Sequence, residues 1–486
     1  MPIRNYPSSQ SEIFGHKAAD RLPIGHICFH IDEIVEVLAL GPSARGNAAR
    51  GAPIYDPRML LKILIFAYFR GIRSSRRIAA ECRENLAFIH LCRGTAPSFR
   101  TICRFRSENE ALLHSVFSEL IRRLILAGVV RADHVIVDGS KIRASASNAK
   151  TLNSKFFDEV KASIEAWMSS SALLDEEEEL REKLSSMGIE SSKNFLGIDS
   201  LQRLVDRCSQ AVEEGEANGS TKVSLTDPES RFMRDGATGK IGLSYNVQVA
   251  VDKERGIPLA CDVTQDAVDN NSLCRVVDEV EMNTCETVEA VDGDSGYFNS
   301  EQLRRLENEG KDACVADSDT VSAMRKSKLS EFIQGERFRY DSERDIFRCP
   351  LGNELVFTRL CHRKDGRIHR IYEAVNPCDE CPQREICLGG SRNRFYKMER
   401  NYEYPWLDEY RRRFLKSEYQ ERLKSRKRIE HIFGHLKHNL GLRRFNLRGL
   451  SGAKIEAFLA SIALVLRRIH TILTQTRCTW AELLAA

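Results

Sequence analysis

A short hydrophobic segment, HVIV at residues 134–137, leads directly into DGSK at residues 138–141. Four residues of high strand propensity followed by Asp-Gly predict a β-strand that ends at Asp138. A second segment, TVEAV at residues 287–291, leads in the same way into DGDSGY at residues 292–297. A single Asp-Gly after a strand usually marks a turn. Two strands that both end in aspartate also suggest carboxylates gathered at the edge of one sheet.

The segments around these two strands alternate between strand and helix patterns. Residues 244–251 and 257–264 predict a hairpin around DKERG, and helices are expected near 272–282 and 300–309, before a strand at 313–316. This order predicts an α/β fold in which helices flank a mixed sheet. Residues 154–216 interrupt it with a helical pattern that holds 15 acidic against seven basic residues, which is an unlikely DNA surface.

A strongly basic segment follows near the C-terminus, where residues 426–437 read RKRIEHIFGHLK. From residue 410 to 448 there are 13 lysines and arginines against three glutamates, a net charge of +10 in a chain of +4. On one α-helix, Arg426, Glu430, Gly434 and Lys437 would share a face. A local positive field of this size favours a polyanion partner. The alternative is a solvated helix with one Arg426–Glu430 ion pair.

Three carboxylates in this order suit a two-metal site. Asp138, Asp294 and Glu430 could supply oxygen ligands to two Mg²⁺ (or Mn²⁺) ions, which support in-line phosphoryl displacement. Asp292 is the alternative to Asp294 at the second strand. The histidines at 431, 435 and 438 lack the HExxH order of a zinc protease and are expected at the surface or facing DNA.

The first 110 residues predict short helices joined by turns. Pro57 starts one helix and Gly71 ends it, and a second helix is expected at residues 74–83. Arginines that include Arg73, Arg76 and Arg100 suggest a helix-turn-helix-like DNA-binding bundle. A helical bundle with ordinary surface arginines is the alternative.

Composition places the chain among globular proteins of two or three domains, at 486 residues with 42% hydrophobic and 29% charged. No secretory signal or membrane span is expected, and residues 455–473 predict an amphipathic core helix because charges interrupt them. Fifteen cysteines then suggest free thiols in a reducing cytoplasm. Cys349, Cys378, Cys381 and Cys387 could bind a structural Zn²⁺ or could be ordinary thiols.

Taken together, these motifs resemble the DDE transposases of bacterial insertion sequences. The Arg-x3-Glu-x6-Lys pattern is met by Arg426, Glu430 and Lys437. Further similar stretches are VIVDGSKI at 135–142, GDSGYF at 293–298, TDPESR at 226–231, YNVQ at 245–248, YDP at 55–57, GIRSSR at 71–76 and RTICRFR at 100–106. Many relatives carry a tyrosine three residues before the motif arginine. Here that position is Leu423, and the nearest tyrosine is Tyr419.

The resemblance implies a ribonuclease-H-like catalytic core behind an all-α DNA-binding domain. It implies that Asp138, Asp294 and Glu430 are the catalytic metal ligands, and that a Cys-rich insertion precedes the glutamate helix. The DNA contacts expected are Lys141, Arg426, Lys437, Arg443, Arg444, Arg73, Arg76 and Arg100. The domains expected are 1–130 (helical, DNA-binding), 131–153 (core), 154–220 (charged insertion), 221–320 (core), 321–405 (Cys-rich insertion) and 406–486 (C-terminal core helices).

The function expected is Mg²⁺-dependent cleavage and strand transfer at the terminal inverted repeats of an insertion sequence. The partners would be double-stranded DNA, both element ends and target, and a second copy of the chain in a homodimer on DNA. The protein would be cytoplasmic and associated with the nucleoid when bound to DNA. The alternatives are an inactive DNA-binding relic or repressor, and a plain two-metal nuclease.

Overall fold

The computed structural model describes residues 18–38, 55–147, 150–169, 182, 184–185, 198–219, 221–236, 238–326, 338–362, 368–389, 391–426 and 428–476. The chain forms two compact units, one of residues 1–289 with 428–486 and one of residues 290–427. The fold is mixed α/β with a helical N-terminal region, which confirms the predicted class.

The N-terminal region of the first unit is built from helices. They are α1 (Ile27–Val37), α2 (Pro57–Phe69), α3 (Ser75–Glu84), α4 (Leu86–Leu91), α5 (Phe99–Ser107) and α6 (Glu110–Leu126). Asp56 caps α2 by accepting from the Arg58 N–H, and Pro57 occupies the first turn. Gly71 follows at φ 71°, and a Cβ there would lie 3.1 Å from the Asn439 carbonyl oxygen. The predicted start and stop of this helix are therefore confirmed.

Helix α2 is buried around almost its whole circumference and includes a lysine. Lys62 is fully buried, and its Nζ lies 2.5 Å from Asp32 Oδ1 and contacts Glu36, both on α1. Burial opposes ionisation of Asp32, but its bonds to His90 and Lys62 outweigh that effect and lower its pKa. The ion pair thus holds α1 against α2, because separating it would leave the lysine charge buried.

The core of the first unit continues as strands. They are β1 (His134–Arg143), β2 (Thr151–Asn153), β3 (Lys222–Ser224), β4 (Arg231–Arg234), β5 (Ile241–Asp252) and β6 (Pro258–Thr264). Strand β5 is the central strand of this group, since it pairs antiparallel with β1, β4 and β6. It is buried along almost its whole length. The predicted hairpin is therefore confirmed. The predicted end of this strand at Asp138 is wrong: β1 runs to Arg143, because its polar second half still pairs with β5.

Three helices lie between and after these strands: α7 (Ser154–Ser169), α8 (Ile198–Ala217) and α9 (Leu273–Thr284). Helices α7 and α8 pack together around their own apolar cluster, which includes Phe157, Leu201 and Cys208. This agrees with the helical pattern of the acidic insertion. The acidic run at 175–179 lies outside the described residues.

The second unit begins with a strand–helix–strand segment. Strands β7 (Ala290–Gly293) and β8 (Asp312–Cys314) are parallel and are joined through α10 (Ser300–Asn308), and α11 (Ser318–Arg325) follows. The sequence predicted β7, α10 and β8 within three residues at each end, whereas it did not predict α11. The Asp317 side chain caps α11 by accepting from the Asp319 and Thr320 N–H groups.

The rest of the second unit holds an antiparallel sheet that the sequence did not predict. Its order is β13-β12-β11-β10-β9. The strands are β9 (Arg339–Asp341), β10 (Ile346–Arg348), β11 (Glu354–His362), β12 (Ile368–Ala374) and β13 (Lys397–Asn401). Helices α12 (Arg384–Leu388), α13 (Tyr404–Arg412) and α14 (Ser417–Ser425) complete the unit. Most of β11 is exposed, so its residues lack the apolar alternation that marks a strand.

The chain then returns to the first unit with α15 (Arg428–Gly434) and α16 (Gly449–Thr476), separated by a π-helical turn, His435–Asn439. The predicted single helix through residues 426–437 is wrong. Helix α14 ends at Ser425 with Arg426 as its C-cap, and a π turn changes the angle between Glu430 and Lys437.

Helix α16 is the long apolar helix of the first unit. Residues Gly449–Leu473 are long and apolar enough to cross a membrane, but 78% of the most apolar window is buried against protein. The helix packs against α2, α6 and β6. It is therefore a core helix, as predicted for residues 455–473.

The start of α16 is fixed by the TDPE stretch at residues 226–229. Asp227, fully buried, accepts from the Tyr245 hydroxyl at 2.6 Å and from the Gly449 N–H at 3.2 Å. Glu229 accepts from the Leu450 N–H at 2.9 Å. Two carboxylates thus satisfy N–H groups at the helix start, where the helix dipole favours negative charge.

Candidate functional site

Asp138 lies in the middle of β1, directly opposite Val249 of β5. Its side chain is half-buried, and Oδ1 accepts from the Gly139 N–H at 2.8 Å. The apolar first half of β1 is fully buried, and the strand becomes partly exposed at Asp138. The carboxylate therefore stands where the core of the sheet opens towards solvent.

The opposite face of the same strands carries a polar cluster around Asp269. Oδ1 of Asp269 accepts from Lys141 Nζ at 2.8 Å, from Asn246 Nδ2 at 2.6 Å and from Gln248 Nε2 at 2.8 Å. Gly139 faces this cluster, since a Cβ there would lie 2.6 Å from Gln248 Nε2. The glycine after Asp138 is thus required by close packing. No local sequence pattern indicates this role for Asp269, because its hydrogen-bond donors lie far away along the chain.

This cluster corrects the role predicted for Lys141. Side chains alternate along a strand, so Lys141 lies on the face opposite to Asp138. Its side chain is 12% exposed and is paired with Asp269. Lys141 is therefore a structural cation that braces β1 against the segment after β6, not a phosphate contact beside Asp138.

At the end of β7 the two candidate aspartates have different environments. Asp292 is fully buried, and its Oδ1 accepts from Arg422 Nε at 2.7 Å. Arg422 also contacts Asp312, and Tyr419 donates to Asp312 Oδ1 at 2.8 Å. Burial opposes the charge of Arg422, but attraction to Asp292 outweighs it and raises the pKa of Arg422. Asp292 is therefore committed to a buried ion pair.

Asp294, in contrast, is available at the surface. Its side chain is 49% exposed and caps a short 3₁₀ turn by accepting from the Ser295 N–H at 2.7 Å. The nearest cation is Arg426, whose Nη2 lies 3.4 Å from Asp294 Oδ1. Arg426, predicted as a phosphate contact, thus stands beside a candidate metal ligand. These two environments favour Asp294 over Asp292 as the carboxylate that could bind a metal ion.

Glu430 is exposed in the first turn of α15. The buried side chains of this helix, Ile429, Ile432 and Phe433, anchor it, and Glu430 points away from them. Lys437 is half-buried in the π turn that follows, while His431 and His438 are exposed. Burial and the nearby Arg468 lower the pKa of His435.

The segment after the π turn is fastened to the end of β1. The Arg143 N–H donates to the Arg443 carbonyl at 3.3 Å, and the Phe445 N–H donates to the Arg143 carbonyl at 2.8 Å. The Arg444 guanidinium donates to the carbonyls of Ala144 and Ala146 at 3.0 and 2.8 Å. Arg443 and Arg444 nevertheless remain exposed, so both stay candidates for DNA contact.

The three N-terminal arginines differ in accessibility. Arg73 is 9% exposed and binds the buried Glu456 at 2.6 Å. It also donates to the carbonyls of Gly441 and Arg444. All of its donors face protein acceptors or the interior, so the prediction that Arg73 contacts DNA is wrong. Arg76 and Arg100 are exposed and flank the ring of Phe99.

The four predicted zinc ligands are brought together in the second unit. Cys349, Cys378, Cys381 and Cys387 line one cavity of about 410 Å³ and are free thiols. Cys349 Sγ accepts from the Asn353 N–H at 3.3 Å. Among the described residues, however, no three His, Cys, Asp or Glu side chains are already arranged to hold a metal ion.

The predicted carboxylate triad is divided between the two units. Asp138 and Glu430 belong to the first unit, whereas Asp294 belongs to the second. Carboxylates at a strand, at a strand end and on a helix are suitable Mg²⁺ ligands. Their convergence remains a prediction.

Comparison with known protein families gives two matches. Residues 16–108 match a transposase domain, and residues 348–470 match a transposase DDE domain. These matches support a DDE transposase with an N-terminal transposase domain. No curated protein matches it.

The two matches cover different parts of the chain. The N-terminal match contains Arg76 and Arg100, and the second contains Glu430, Lys437 and the four cysteines. Asp138 and Asp294 lie outside both ranges. Their assignment therefore rests on the motifs and on their positions in the fold.

The different environments of Asp292 and Asp294 predict different contributions to the free energy of unfolding. Asp292→Ala should lower the free energy of unfolding by about 3 kcal/mol, because it leaves the buried Arg422 charge without its main partner. Asp294→Ala should cost less than about 1 kcal/mol, because its ion pair with Arg426 is partly exposed. Urea unfolding of the two variants checks this difference, and equal losses would contradict it.

Proposed function

We propose that this transposase binds the terminal inverted repeats of an insertion sequence, hydrolyses a phosphodiester to expose a 3′-OH, and joins that end to target DNA. One observation carries the proposal. Glu430 is exposed, the Asp294 side chain is 49% exposed and Asp138 is half-exposed, whereas the neighbouring Asp292 is fully buried in an ion pair with Arg422 and Asp269 is paired with Lys141. The three carboxylates that the motifs indicate are thus at least partly open to solvent, whereas Asp292 is not.

In this proposal Asp138, Asp294 and Glu430 would hold two divalent ions, Mg²⁺ or Mn²⁺. When bound, the ions would supply Lewis-acid stabilisation to the attacking and leaving oxygens of the phosphodiester. Arg426, next to Asp294, would orient this carboxylate before metal binding and contact the phosphate afterwards. The exposed Arg443 and Arg444, and Lys437, would bind the DNA backbone as predicted.

The protein would act with partners, which are a second copy of the chain and DNA. The pairing of two element ends implies at least a homodimer on DNA, since each end needs its own site. The protein would act in the cytoplasm, associated with the nucleoid when bound to DNA.

The triad is tested by three single variants. Asp138→Ala, Asp294→Ala and Glu430→Ala should each lower Mg²⁺-dependent cleavage of element-end DNA by about a thousandfold or more, because losing a metal ligand removes several kcal/mol of transition-state stabilisation. Binding to the same DNA should persist in each variant. Gel assays of cleavage, strand joining and binding measure all three quantities.

The matched control is Asp319→Ala, which removes a carboxylate that is 71% exposed and should leave cleavage unchanged. Asp292→Ala is unsuitable because it would destabilise the second unit. Near-normal cleavage by any triad variant would refute its role. Binding without cleavage in the wild type would indicate a repressor or relic, and cleavage without joining would indicate a nuclease.

We also infer a structural Zn²⁺ site at the four cysteines. Their shared cavity and the N–H donor to Cys349 suit thiolate ligands. Side-chain rotations would be needed to bring the sulfurs to about 2.3 Å from the ion. The ion would then fasten the turn at Cys349 to the segment that contains Cys378, Cys381 and Cys387.

Elemental analysis tests the zinc site. Protein purified under reducing, chelator-free conditions should contain about one Zn²⁺ per chain. Cys378→Ser with Cys381→Ser should lose the ion and lower the thermal stability, whereas Cys361→Ser, in the same unit but outside the cavity, should retain it. Metal-free wild-type protein would retire the inference.

A further inference from the structure

A wide, open groove lies between α3 and α5 in the N-terminal region. Its volume is about 750 Å³, and it is lined by residues from 73–76 and 99–107 and by Asn446. All five charged residues that line it are arginines: Arg73, Arg76, Arg100, Arg104 and Arg106. Arg73 is paired with Glu456 and Arg104 with Glu108, so the net positive charge of the groove comes from Arg76, Arg100 and Arg106, and it favours a polyanion.

The floor of the groove is a fixed positive charge. Arg106 is 3% exposed and donates to the Arg73 carbonyl at 2.7 Å and to Ser75 Oγ at 3.2 Å. Its Nε is buried and has no hydrogen-bond partner among the described residues. Because burial weakens solvent screening, the charge of Arg106 acts on the groove more strongly than that of a surface arginine would.

The rim of the groove carries an exposed aromatic ring. Phe99 is the first residue of α5, is 38% exposed, and is placed by Ser98, which accepts from the Thr101 N–H at 3.2 Å. The guanidinium carbons of Arg76 and Arg100 lie 5.3 and 5.8 Å from the ring centroid. These distances allow cation–π attraction, which orients both arginines beside the ring.

An exposed aromatic ring between two cations matches the chemistry of a nucleotide. A base offers an apolar face that stacks on the ring, and its flanking phosphates offer charges to the arginines. In an intact duplex the faces of the bases are covered by their neighbours. The ring can therefore stack only on a base that is unpaired or at an open end.

We propose that this groove binds an unpaired DNA base stacked on Phe99, with the flanking phosphates held by Arg76 and Arg100. This inference rests on the proposed transposase function and deepens it. Stacking tolerates any base, so the groove would recognise opened DNA as such, whereas sequence would be recognised through other contacts. Phe99 would thereby favour DNA whose terminal pairs are open.

The test compares two short duplexes of one sequence, one fully paired and one with mismatched terminal pairs. Fluorescence anisotropy should show that the full-length wild-type chain binds the mismatched duplex about tenfold more tightly. Phe99→Leu should abolish this preference, so that both duplexes bind with the same affinity. A 2-aminopurine in the mismatched end should report stacking by a loss of fluorescence with the wild type but not with Phe99→Leu.

Two controls accompany Phe99→Leu. Phe232→Leu removes a phenylalanine of matching exposure, 40%, from strand β4 and should retain the preference. Phe99→Trp keeps an aromatic face and should also retain it. Circular dichroism verifies that each variant is folded, as expected for changes at exposed positions.

The outcomes separate this inference from the proposed function. Equal binding of both duplexes by the wild type, or a preference that survives in Phe99→Leu, would overturn the stacking role and leave the transposase proposal intact. Failure of the wild type to bind either duplex would count against the proposed function, and the inference would fall with it.

Discussion

The buried ion pair between Arg73 and Glu456 is the contact on which the first unit depends. Arg73 lies between α2 and α3, and the fully buried Glu456 lies in α16. Glu456 Oε1 also accepts from the N–H groups of Asn446 and Leu447, both at 2.6 Å, while Arg73 donates to two carbonyls of the same segment. Removing either partner would cost about 3–5 kcal/mol, because the other charge would stay buried without compensation.

This ion pair connects the two ends of the chain to the candidate site. It fixes the segment that follows the π turn, and the same segment pairs with the end of β1 through Arg143. On the opposite face of β1, Asp269 accepts hydrogen bonds from Lys141 and Gln248. Strand β1 is therefore braced on both sides of Asp138, which leaves this carboxylate half-exposed on a rigid element.

The sequence predicted the features that depend on local pattern. The strands before Asp138 and Asp294, the hairpin and the Pro57 helix start are each encoded by adjacent residues, and the structure confirms them. The sequence motifs also predicted the order of the three candidate carboxylates, Asp138, Asp294 and Glu430, along the chain. Long-range partners were not predicted, because nothing near Arg73 or Lys141 in the chain indicates that each is paired with a distant carboxylate. The sheet of the second unit was missed because its strands are short or largely exposed.

We propose that Asp138, Asp294 and Glu430 bind the same pair of divalent ions. The most direct test replaces Mg²⁺ with Fe²⁺ in the DNA-bound protein and generates hydroxyl radicals with ascorbate and peroxide, so that the chain is cut next to the bound ion. Mass spectrometry of the fragments should locate cuts near residues 138, 294 and 430, and excess Mg²⁺ should suppress them. Cuts confined to one of these positions, or located elsewhere in the chain, would contradict a shared site.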